Sequence, residues 1–593
     1  MRFFRSLRSY LQAIPHILSF QCFVALLLEG MFHVLNTVAA WALLESGRVA
    51  VTSGDFSFLF TSWQGILLIA LALITLFLSF ALEVVLMVKV AGRWVRNEEA
   101  PLRETVRESL MDAVKFLSPY GMPVVLYITI MAPLVGFGVS VSLTQNMYIP
   151  NFITSVVRSN PLYNAAYSVV VFCLFLAGFF NIFIVHGVVL DGLSIKEAYA
   201  NSRKLMRKNW LNYTISMAIF SLVSLLLFVL ANVVPLLLYP LMAFAFQNVT
   251  RGDRIALLTA TFIVLFMTLL FFTLFPGINF FRLTTLYETY RSGSNVDMPL
   301  HRKTHHPAIW LMALVIVASS LGLGYLCDRN FDTVFPRESS VKIIAHRAGG
   351  SESVENTAIA LNTAAEHGAW GAEIDIQRTA DGFYIVNHDD DFARVAGDSR
   401  TPSQMTLEEI QTLRVKNTSS SGEPDQPVST YEEMLDGARD RLVLLVELKG
   451  ATADKQMADD AIRIAREKGM LDQCIFISLK YDLIRYIEDT YPDVQTGFLA
   501  FASYGDIAGL DTDYLALEEE TSQRSIINAI HSQGKGIFVW TVNGKDEQRY
   551  FLQSGADAII TDNISQAEQL KQGMATRSDM DRILDWITTN VLP

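Results

Sequence analysis

Hydrophobic residues are distributed unevenly along the chain. Up to about residue 326, long apolar runs alternate with short basic segments; after about residue 335, short apolar stretches alternate with polar, helix-like ones. An apolar run of about 20 residues can cross a lipid bilayer as a helix. The first pattern therefore predicts a polytopic α-helical membrane domain, and the second predicts a water-soluble α/β domain.

Seven runs in the first part are long and apolar enough to be membrane spans. They lie near residues 18–43, 65–90, 121–144, 163–190, 213–245, 255–281 and 307–326. The fifth is too long for one simple span and contains Pro235 and Pro240. It is either one span with an additional interfacial piece or two short helices. Two membrane-crossing helices would place each later loop, and the second domain, on the opposite side of the membrane.

Basic residues are concentrated in alternate loops. Three arginines precede the first span, and basic segments follow the second, fourth and sixth spans. Cytoplasmic loops are enriched in Lys and Arg, so the N-terminus is expected in the cytoplasm and, with seven spans, the second domain outside the cell. The segments 101–110 and 194–205 are either basic amphipathic helices on the inner membrane surface or ordinary charged loops. We expect a multi-pass protein of the plasma membrane.

Ionisable residues also occur inside the predicted spans. Glu29 and His33 lie one helical turn apart, and Glu83 and His186 occupy the second and fourth spans. Such groups are costly in a bilayer and often mark a proton or substrate path. Hydrogen bonding between helices, or a position near the interface, is the simpler explanation.

The second part repeats a strand–helix pattern that predicts a parallel (β/α)8 barrel. Candidate helices fall between many of the strands. The candidate strands are 341–347, 371–377, 383–388, 442–449, 474–479, 495–500, 513–518, 536–542 and 556–561. Nine strands are one more than the barrel needs. Since Ala380-Asp381-Gly382 reads as a tight turn, either the second and third candidates form an irregular hairpin or one of the nine is wrong.

Charged residues cluster at the carboxyl ends of these strands, where barrels of this type carry their chemistry. Glu373 and Asp375 alternate along one strand, so they share a face. Two carboxylates on one face repel each other unless a cation lies between them. Glu447 would complete an oxygen-rich site for a hard divalent ion. The alternative is a salt-bridge network inside the barrel with Arg347 and Lys449.

Two histidines at strand ends, His346 and His388, could supply a general acid and a general base near neutral pH. The cations Arg347 and Lys449 suit an anionic substrate. Together with a metal ion, this set favours cleavage of a phosphodiester. In the loop after the first strand, Asn356 and Thr357 are predicted to cap the next helix, which leaves the neighbouring Glu355 to orient Arg347 or assist at the metal.

The stretches HRAGG…ENT, EIDIQRTADGFYIVNHDDDF, VELK and FVWTVN together resemble the glycerophosphodiester phosphodiesterase family over about residues 340–570. The resemblance implies a (β/α)8 barrel with an insertion after the second catalytic histidine, here 389–441. It implies His346 and His388 as the acid/base pair, and Glu373, Asp375 and Glu447 as ligands of Ca²⁺ or Mg²⁺. One departure is Val354 before Glu355, where the family commonly has proline.

The resemblance further implies that Arg347 and Lys449 contact phosphate, that Glu355 lies beside them or beside the metal, and that Trp540 of FVWTVN contacts the substrate. The membrane half resembles the multi-span region fused to some bacterial members. The expected domains are a membrane domain at 1–330, a short linker at 331–340, a barrel at 341–575 and a C-terminal helix or tail at 576–593.

These features predict a membrane-anchored, metal-dependent enzyme that hydrolyses glycerophosphodiesters to glycerol 3-phosphate and an alcohol. Alternatives are a lysophospholipase D, a hydrolase of glycerophosphate polymers such as teichoic acid, and a transporter or receptor whose barrel only binds its ligand. The net charge of −12 argues against nucleic acid as a partner. The four cysteines have no CxxC spacing, which supports neither a disulfide framework nor a cysteine metal site.

Overall fold

The computed structural model describes residues 2–52, 56–131, 154, 157–158, 160–245, 251–296, 307–419 and 421–590. The chain forms two compact units. The first consists of Met1–Ala39 with Leu67–Asn330, and the second of Ala40–Ile66 with Phe331–Pro593. The loop after the first predicted span therefore belongs to the same unit as the soluble half.

Helices of widely differing length make up the described part of the first unit. They are Arg2–Glu45, Trp63–Ser79, Leu86–Val95, Leu102–Val114, Met122–Leu126, Pro161–Asn181, Ile184–Asp191, Ile195–Ala245, Arg251–Ser292 and Pro307–Arg329, with π-helical turns at Phe80–Val85 and Tyr127–Met131. Six helical segments of the described chain are long and apolar enough to cross a membrane, and they coincide with six of the seven predicted spans. The protein is therefore a membrane protein.

Two predicted spans, at 121–144 and 213–245, do not correspond simply to single described helices. The span at 121–144 lies outside the described residues beyond Met131. The fifth is part of one continuous 51-residue helix, Ile195–Ala245, which is not divided at Pro235 or Pro240. The basic segment 194–205 was expected either as a separate surface helix or as a charged loop, but it forms the first turns of this same helix. No glycine or proline separates the basic residues from the apolar ones, so helical geometry continues through both.

The described chain contains thirteen strands. They are β1 Ala50–Thr52, β2 Lys342–Ala345, β3 Gly371–Arg378, β4 Tyr384–Val386, β5 Arg414–Val415, β6 Gln426–Pro427, β7 Val443–Leu448, β8 Cys474–Ser478, β9 Gln495–Ala500, β10 Ser503–Gly505, β11 Tyr514–Glu518, β12 Gly536–Trp540 and β13 Ala558–Thr561. Eight of them form a closed parallel barrel in the order β2-β13-β12-β11-β9-β8-β7-β3, closed by pairing of β2 with β3. The predicted barrel is confirmed.

The surplus ninth strand of the sequence pattern is an antiparallel partner. β4 pairs with β3 through Ile376 and Val386, so the second and third candidates form a hairpin and β4 stays outside the barrel. The turn between them contains Gly382 in a left-handed conformation (φ 87°), which glycine adopts without steric cost. This hairpin carries the chain from the carboxyl end of β3 back to the level of Asp375, where the Asn387 N–H donates to the Asp375 carbonyl (2.9 Å) and His388 follows.

Helices cover the outside of the barrel. They are Ala358–Glu366, Tyr431–Ala438, Lys455–Glu467, Tyr481–Thr490, Arg524–Ser532, Lys545–Phe551 and Ile564–Met574. Alanine and branched aliphatic side chains fill the layer between strands and helices. A second cluster, including Ile344, Leu445 and Phe538, fills the inside of the barrel. The polar residues at the carboxyl ends of the strands lie above this inner cluster.

The insertion at 389–441 has a small core of its own. The helical turns Ala393–Ala396 and Leu407–Gln411 and the hairpin of β5 and β6 surround Phe392, Met405 and Ile410, which are buried. Because this core also includes Val354 and Ile385, the insertion packs against the loop after β2 and against β4. It therefore holds two segments that carry site residues.

Two further segments belong to the second unit. β1, from the loop at Ala40–Ile66, pairs antiparallel with β10 in the register Val51 to Tyr504. The predicted linker is folded rather than extended, because Phe331–Val334 is helical and Phe335 is buried. Arg582 of the C-terminal helix Asp579–Asn590 is buried and donates to the carbonyl of Phe335 (2.7 Å).

Candidate active site

Three buried carboxylates meet at the carboxyl ends of two neighbouring strands. Glu373 and Asp375 lie on β3, and Glu447 lies on β7 directly beside Asp375 in the parallel register. One oxygen of each lies within 4.8 Å of one oxygen of the others. The alternation along β3 predicted this shared face, and the pairing of β3 with β7 adds the third carboxylate.

Burial and mutual repulsion perturb these acids. Burial, reinforced by the charges of Asp375 and Glu447, raises the pKa of Glu373 well above its usual value. Burial also raises the pKa of Glu447 to about 7, although Lys449 acts in the opposite direction. Burial would raise the pKa of Asp375 as well, but the nearby Lys449 cation holds it well below its usual value.

Lys449 is the side-chain cation that contacts these acids. Its Nζ donates to Asp375 Oδ1 (2.8 Å) and to Glu447 Oε2 (3.1 Å). Burial alone would lower the pKa of Lys449, but the carboxylates raise it above its usual value. The predicted salt-bridge network and the predicted acidic cluster thus involve the same residues.

The donor set fits a hard divalent cation. Burial and mutual repulsion raise the pKa of Glu373 and of Glu447, and a bound ion of charge +2 would oppose both effects. Oxygen ligands of this kind suit Ca²⁺ and Mg²⁺. The three carboxylates Glu373, Asp375 and Glu447 are the residues that could hold such an ion.

The first predicted histidine is oriented by a residue from the last strand. His346 Nδ1 lies 2.7 Å from Asp562 Oδ1, and Asp562 directly follows β13. Asn543 Nδ2 donates to the second oxygen of Asp562 (2.5 Å). Although burial would raise the pKa of Asp562, His346 and Asn543 lower it to about 2. The ionised carboxylate only accepts, so Nδ1 of His346 carries the proton and Nε2 is available for catalysis.

The second histidine has a similar partner. His388 Nδ1 lies 2.8 Å from Asp389 Oδ1. Burial lowers the pKa of His388, which favours its neutral form. Arg394, from the first helical turn of the insertion, donates to Asp389 Oδ2 (2.7 Å) and to both oxygens of Glu355 (2.6 and 2.9 Å). Burial would raise the pKa of Asp389, but His388 and Arg394 hold it well below its usual value.

Arg347 adopts a backbone conformation that non-glycine residues rarely use. Its φ of 49° and ψ of 42° are left-handed, and strain of this kind is concentrated at functional sites. The turn lets the Arg347 N–H donate to Glu373 Oε2 (2.8 Å). Its guanidinium makes a long contact with Glu355 (3.5 Å), while its buried Nε has no hydrogen-bond partner. The side chain is therefore only partly satisfied by the protein.

The capping prediction for Asn356 is wrong. Its Nδ2 donates to Asp375 Oδ2 (2.8 Å), and its own φ is 56°, so its side chain points at the acidic cluster. Thr357 does occupy the position before the helix, but its hydroxyl donates to the Val354 carbonyl (2.6 Å) and caps nothing. Ser429 Oγ instead accepts the first helical N–H, that of Ala358 (3.1 Å). Contacts with distant residues, Asp375 and Ser429, thus take the place of the local helix cap.

The remaining predicted residues also lie at this edge of the barrel. Glu355 is held between Arg347 and Arg394, and these cations bring its pKa below its usual value although burial alone would raise it. Trp540 is the last residue of β12, packs against the inner cluster and donates its indole N–H to the Ala516 carbonyl (2.9 Å). Its indole ring, and not its N–H, is therefore the part of the side chain that could contact a substrate.

Three residues of this arrangement were not predicted as site residues from the sequence. Asp562 follows the last predicted strand, so the strand-end rule that selected His346 would also have selected it. Asn356 was noticed but given a local role. Arg394 lies in the insertion, where no strand or helix periodicity marks it.

The two halves match two described families. Residues 346–566 match the glycerophosphoryl diester phosphodiesterase family. Residues 3–326, more than half of the chain, match the membrane domain of glycerophosphoryl diester phosphodiesterase. The first range contains every site residue described above. The second contains all six candidate spans except the last three residues of the sixth.

Individual relatives match the second half. A glycerophosphodiester phosphodiesterase of Caldanaerobacter subterraneus is 25% identical over 232 residues, covering 37% of this chain and 93% of its own. Glycerophosphodiester phosphodiesterase 1 of mouse is 33% identical over 129 residues, covering 21% of this chain and 38% of its own. The crystal structure of a glycerophosphodiester phosphodiesterase from Parabacteroides distasonis is 23% identical, covers 40% of this chain and 100% of its own, and has a TM-score of 0.35.

Proposed function

The chain belongs to the glycerophosphoryl diester phosphodiesterase family, and from this premise we propose that it hydrolyses glycerophosphodiesters to glycerol 3-phosphate and an alcohol with His346 and His388 as the acid/base pair. The observation that carries the proposal is the pair of Asp–His contacts at one end of the barrel. Each fixes Nδ1 as the donor and leaves Nε2 for proton transfer.

The two histidines divide the proton transfers. One accepts a proton from the attacking oxygen, which is either water or the glycerol hydroxyl beside the phosphate, while a new P–O bond forms. The other gives a proton to the alcohol oxygen as its bond to phosphorus breaks. When the glycerol hydroxyl attacks first, the cyclic phosphate that results is opened by water, and the two histidines exchange roles.

Arg347 and Lys449 are proposed to bind the phosphoryl oxygens. The unpartnered Nε of Arg347 and its single long contact with Glu355 leave donors for an anion. Lys449 already contacts two carboxylates, so its charge is positioned before the substrate arrives. Donors fixed in this way stabilise the charge that develops in the transition state without costly reorganisation.

Members of this family are generally dependent on a divalent metal, and the acidic cluster is suited to one. We propose that Glu373, Asp375 and Glu447 hold Ca²⁺ or Mg²⁺. When bound, such an ion would polarise the phosphoryl group and neutralise negative charge near it. Asn356 keeps Asp375 in place, and the Arg347 N–H does the same for Glu373.

Substitution of the two histidines tests the acid/base assignment. His346→Ala and His388→Ala should each lower kcat for glycerophosphocholine by on the order of 10²–10⁴. The double variant should lose much less than the product of the two losses, because both residues serve one transfer. His531→Ala is the matched control, since His531 also pairs with an aspartate, Asp557, but outside this cluster. Near-normal rates in both single variants would exclude the assignment.

We also propose that the barrel lies outside the cell, with the N-terminus in the cytoplasm and the protein in the plasma membrane. β1 follows the first candidate span, Gln12–Glu45, and its backbone pairs with β10. A hydrogen-bonded ladder cannot form across a bilayer, so the loop that contains β1 and the barrel share one side. Since the basic N-terminus favours the cytoplasm, this side is the outer one.

This placement requires an odd number of crossings in all, and therefore an even number after β1. Five of the described candidate spans follow β1, which is an odd number. They are Trp63–Val95, Pro161–Asp191, Ile195–Leu230, Arg254–Ser292 and Trp310–Arg329. One further crossing after β1 is needed to return the chain to the side of β1. The span expected from the sequence at 121–144 would meet this need.

Cysteine labelling tests the sidedness. Ser403→Cys places an exposed thiol in the insertion, and Arg103→Cys places one in a basic segment expected in the cytoplasm. A membrane-impermeant maleimide added to intact cells should label the first variant and not the second, with the wild-type protein as the blank. Labelling of Arg103→Cys alone would place the barrel in the cytoplasm.

A further inference from the structure

The first unit contains a large, partly open cavity that the barrel chemistry does not use. Its volume is about 1170 Å³, and all its lining residues belong to the first unit. Pockets that bind drug-sized ligands have volumes of about 300–1,000 Å³. Most of the wall is apolar, including Val24, Leu28, Leu269, Phe272 and Phe280. The space therefore suits a molecule larger than a drug with substantial hydrocarbon surface.

Two polar side chains of the wall have unused hydrogen-bonding atoms. Gln21 donates to the Thr273 carbonyl (2.7 Å), but its buried Oε1 has no partner. His186, which is only 2% exposed, contacts Thr284 Oγ1 through Nε2 (3.2 Å), and its Nδ1 has no partner. An unsatisfied polar atom in apolar surroundings is destabilising. Such atoms on the wall of a cavity are suited to hydrogen bonds with a ligand.

The charge of the wall restricts the ligand further. Among the described residues that line the cavity, none is Lys or Arg, and Glu83 is the one carboxylic acid. Burial of a phosphate without a cation is strongly unfavourable. Asn181, Asn279 and Tyr213 add neutral hydrogen-bonding groups. The wall therefore disfavours an anionic ligand and offers hydrogen-bonding groups for hydroxyl or carbonyl oxygens.

We propose that this cavity binds a neutral, hydroxyl-bearing glycerolipid of the diacylglycerol class. The acyl chains lie against the apolar wall, and the hydroxyl and ester oxygens bond with groups such as Gln21 and His186. Phosphate-bearing lipids such as phosphatidate are excluded because the wall offers them no cation. The inference is independent of the barrel's activity, since no residue of the catalytic cluster lines the cavity.

Photolabelling of the full-length protein in nanodiscs tests the proposal. The probe is a diacylglycerol with a diazirine in one acyl chain, and labelled peptides are identified by mass spectrometry. In the wild type, labelling should be saturable and should map to peptides that line the cavity. An excess of diacylglycerol should suppress it at least tenfold, whereas phosphatidate at the same concentration should leave it within twofold.

Two variants and a matched control complete the test. Ala25→Trp fills the cavity and should lower labelling about tenfold, and Gln21→Leu removes the unused acceptor and should lower it about threefold. Val170→Trp, at a 55% exposed position away from the wall, should behave as the wild type. All variants should retain hydrolysis of glycerophosphocholine, which reports on a folded barrel.

Some outcomes would overturn the proposal. They are equal labelling of the wild type and Gln21→Leu, labelling that maps to the exposed helix faces, and competition by phosphatidate as strong as that by diacylglycerol. Gln21→Leu is the smaller change, so it decides the question if Ala25→Trp does not fold. Loss of hydrolysis in the wild type would concern the barrel alone and would not affect this result.

Discussion

Replacement of Asp562 by asparagine removes one charge from the site while it preserves the size of the side chain. In the wild type, Asp562 accepts from His346 Nδ1 (2.7 Å) and from Asn543 Nδ2 (2.5 Å). An asparagine in its place can still accept through its carbonyl oxygen, but it no longer attracts a protonated imidazole. The variant therefore isolates the electrostatic contribution of Asp562 to the action of His346.

The size of the effect follows from the ionisation of Asp562. Burial would raise its pKa, yet its interactions, chiefly with His346, lower the pKa from the usual 3.8 to about 2. This difference corresponds to about 2.5 kcal/mol of stabilisation of the aspartate next to the charged imidazole. Asp562→Asn removes this charge from beside His346. Loss of about 2.5 kcal/mol lowers a rate by on the order of 10².

The assay is steady-state hydrolysis of glycerophosphocholine by purified full-length protein. We expect Asp562→Asn to lower kcat by on the order of 10² with KM within about threefold, because Asp562 acts on His346 and not on the substrate. The matched control is Asp557→Asn. Asp557 also pairs with a histidine, His531, but precedes β13 and is outside the catalytic cluster. This control should keep normal kinetics.

Two further measurements separate positioning from folding. Thermal unfolding of Asp562→Asn should show the barrel intact, and Asp562→Glu should recover part of kcat because it restores the charge. If folded Asp562→Asn retained at least half of the wild-type kcat, or if KM alone changed, His346 would not depend on Asp562 and the proposed role of this pair would be wrong.

Three other changes have defined outcomes. Glu373→Gln should weaken binding of Ca²⁺ or Mg²⁺ at least tenfold by calorimetry without unfolding the barrel; unchanged binding would remove the acidic cluster as the metal site. Arg394→Ala should lower kcat about tenfold, because Asp389 loses its second partner, and Arg394→Lys should recover part of kcat. If Arg394→Ala has the same kcat as the wild type, His388 does not need this support. Arg582→Ala should lower the unfolding free energy of the second unit by about 2–3 kcal/mol, because the Phe335 carbonyl loses its donor. Denaturant unfolding measures this free energy. A decrease below about 0.5 kcal/mol would contradict the prediction.

The sequence predicted the barrel well because its strands carry strong local signals. Strands such as β7 and β8 are apolar along their length and end in polar residues, so both their position and their functional end could be recognised. The same pattern identified Glu373, Asp375 and Glu447. The hairpin of β3 and β4 was one of two open alternatives, because periodicity alone does not distinguish a barrel strand from an antiparallel partner.

Other features depend on contacts between distant parts of the chain. β1 has three residues and pairs with β10 some 450 residues later, so no local pattern marks it. The contact of Asn356 with Asp375 overrides a local preference for helix capping. The left-handed turn at Arg347 exists because its N–H reaches Glu373 on the neighbouring strand. Such features are determined by tertiary structure, and a single sequence contains little sign of them.

If His346 acts as proposed, the closure of the barrel also determines when the enzyme becomes active. β2 is the first strand of the barrel and β13 the last, and they pair with each other. The hydrogen bond of His346 to Asp562 crosses this seam between residues 216 positions apart. During synthesis, His346 therefore has no carboxylate partner until the final strand has left the ribosome and docked. On the proposed role of His346, a nascent chain, or one truncated before β13, is expected to be inactive, and hydrolytic activity is expected only in chains whose barrel has closed.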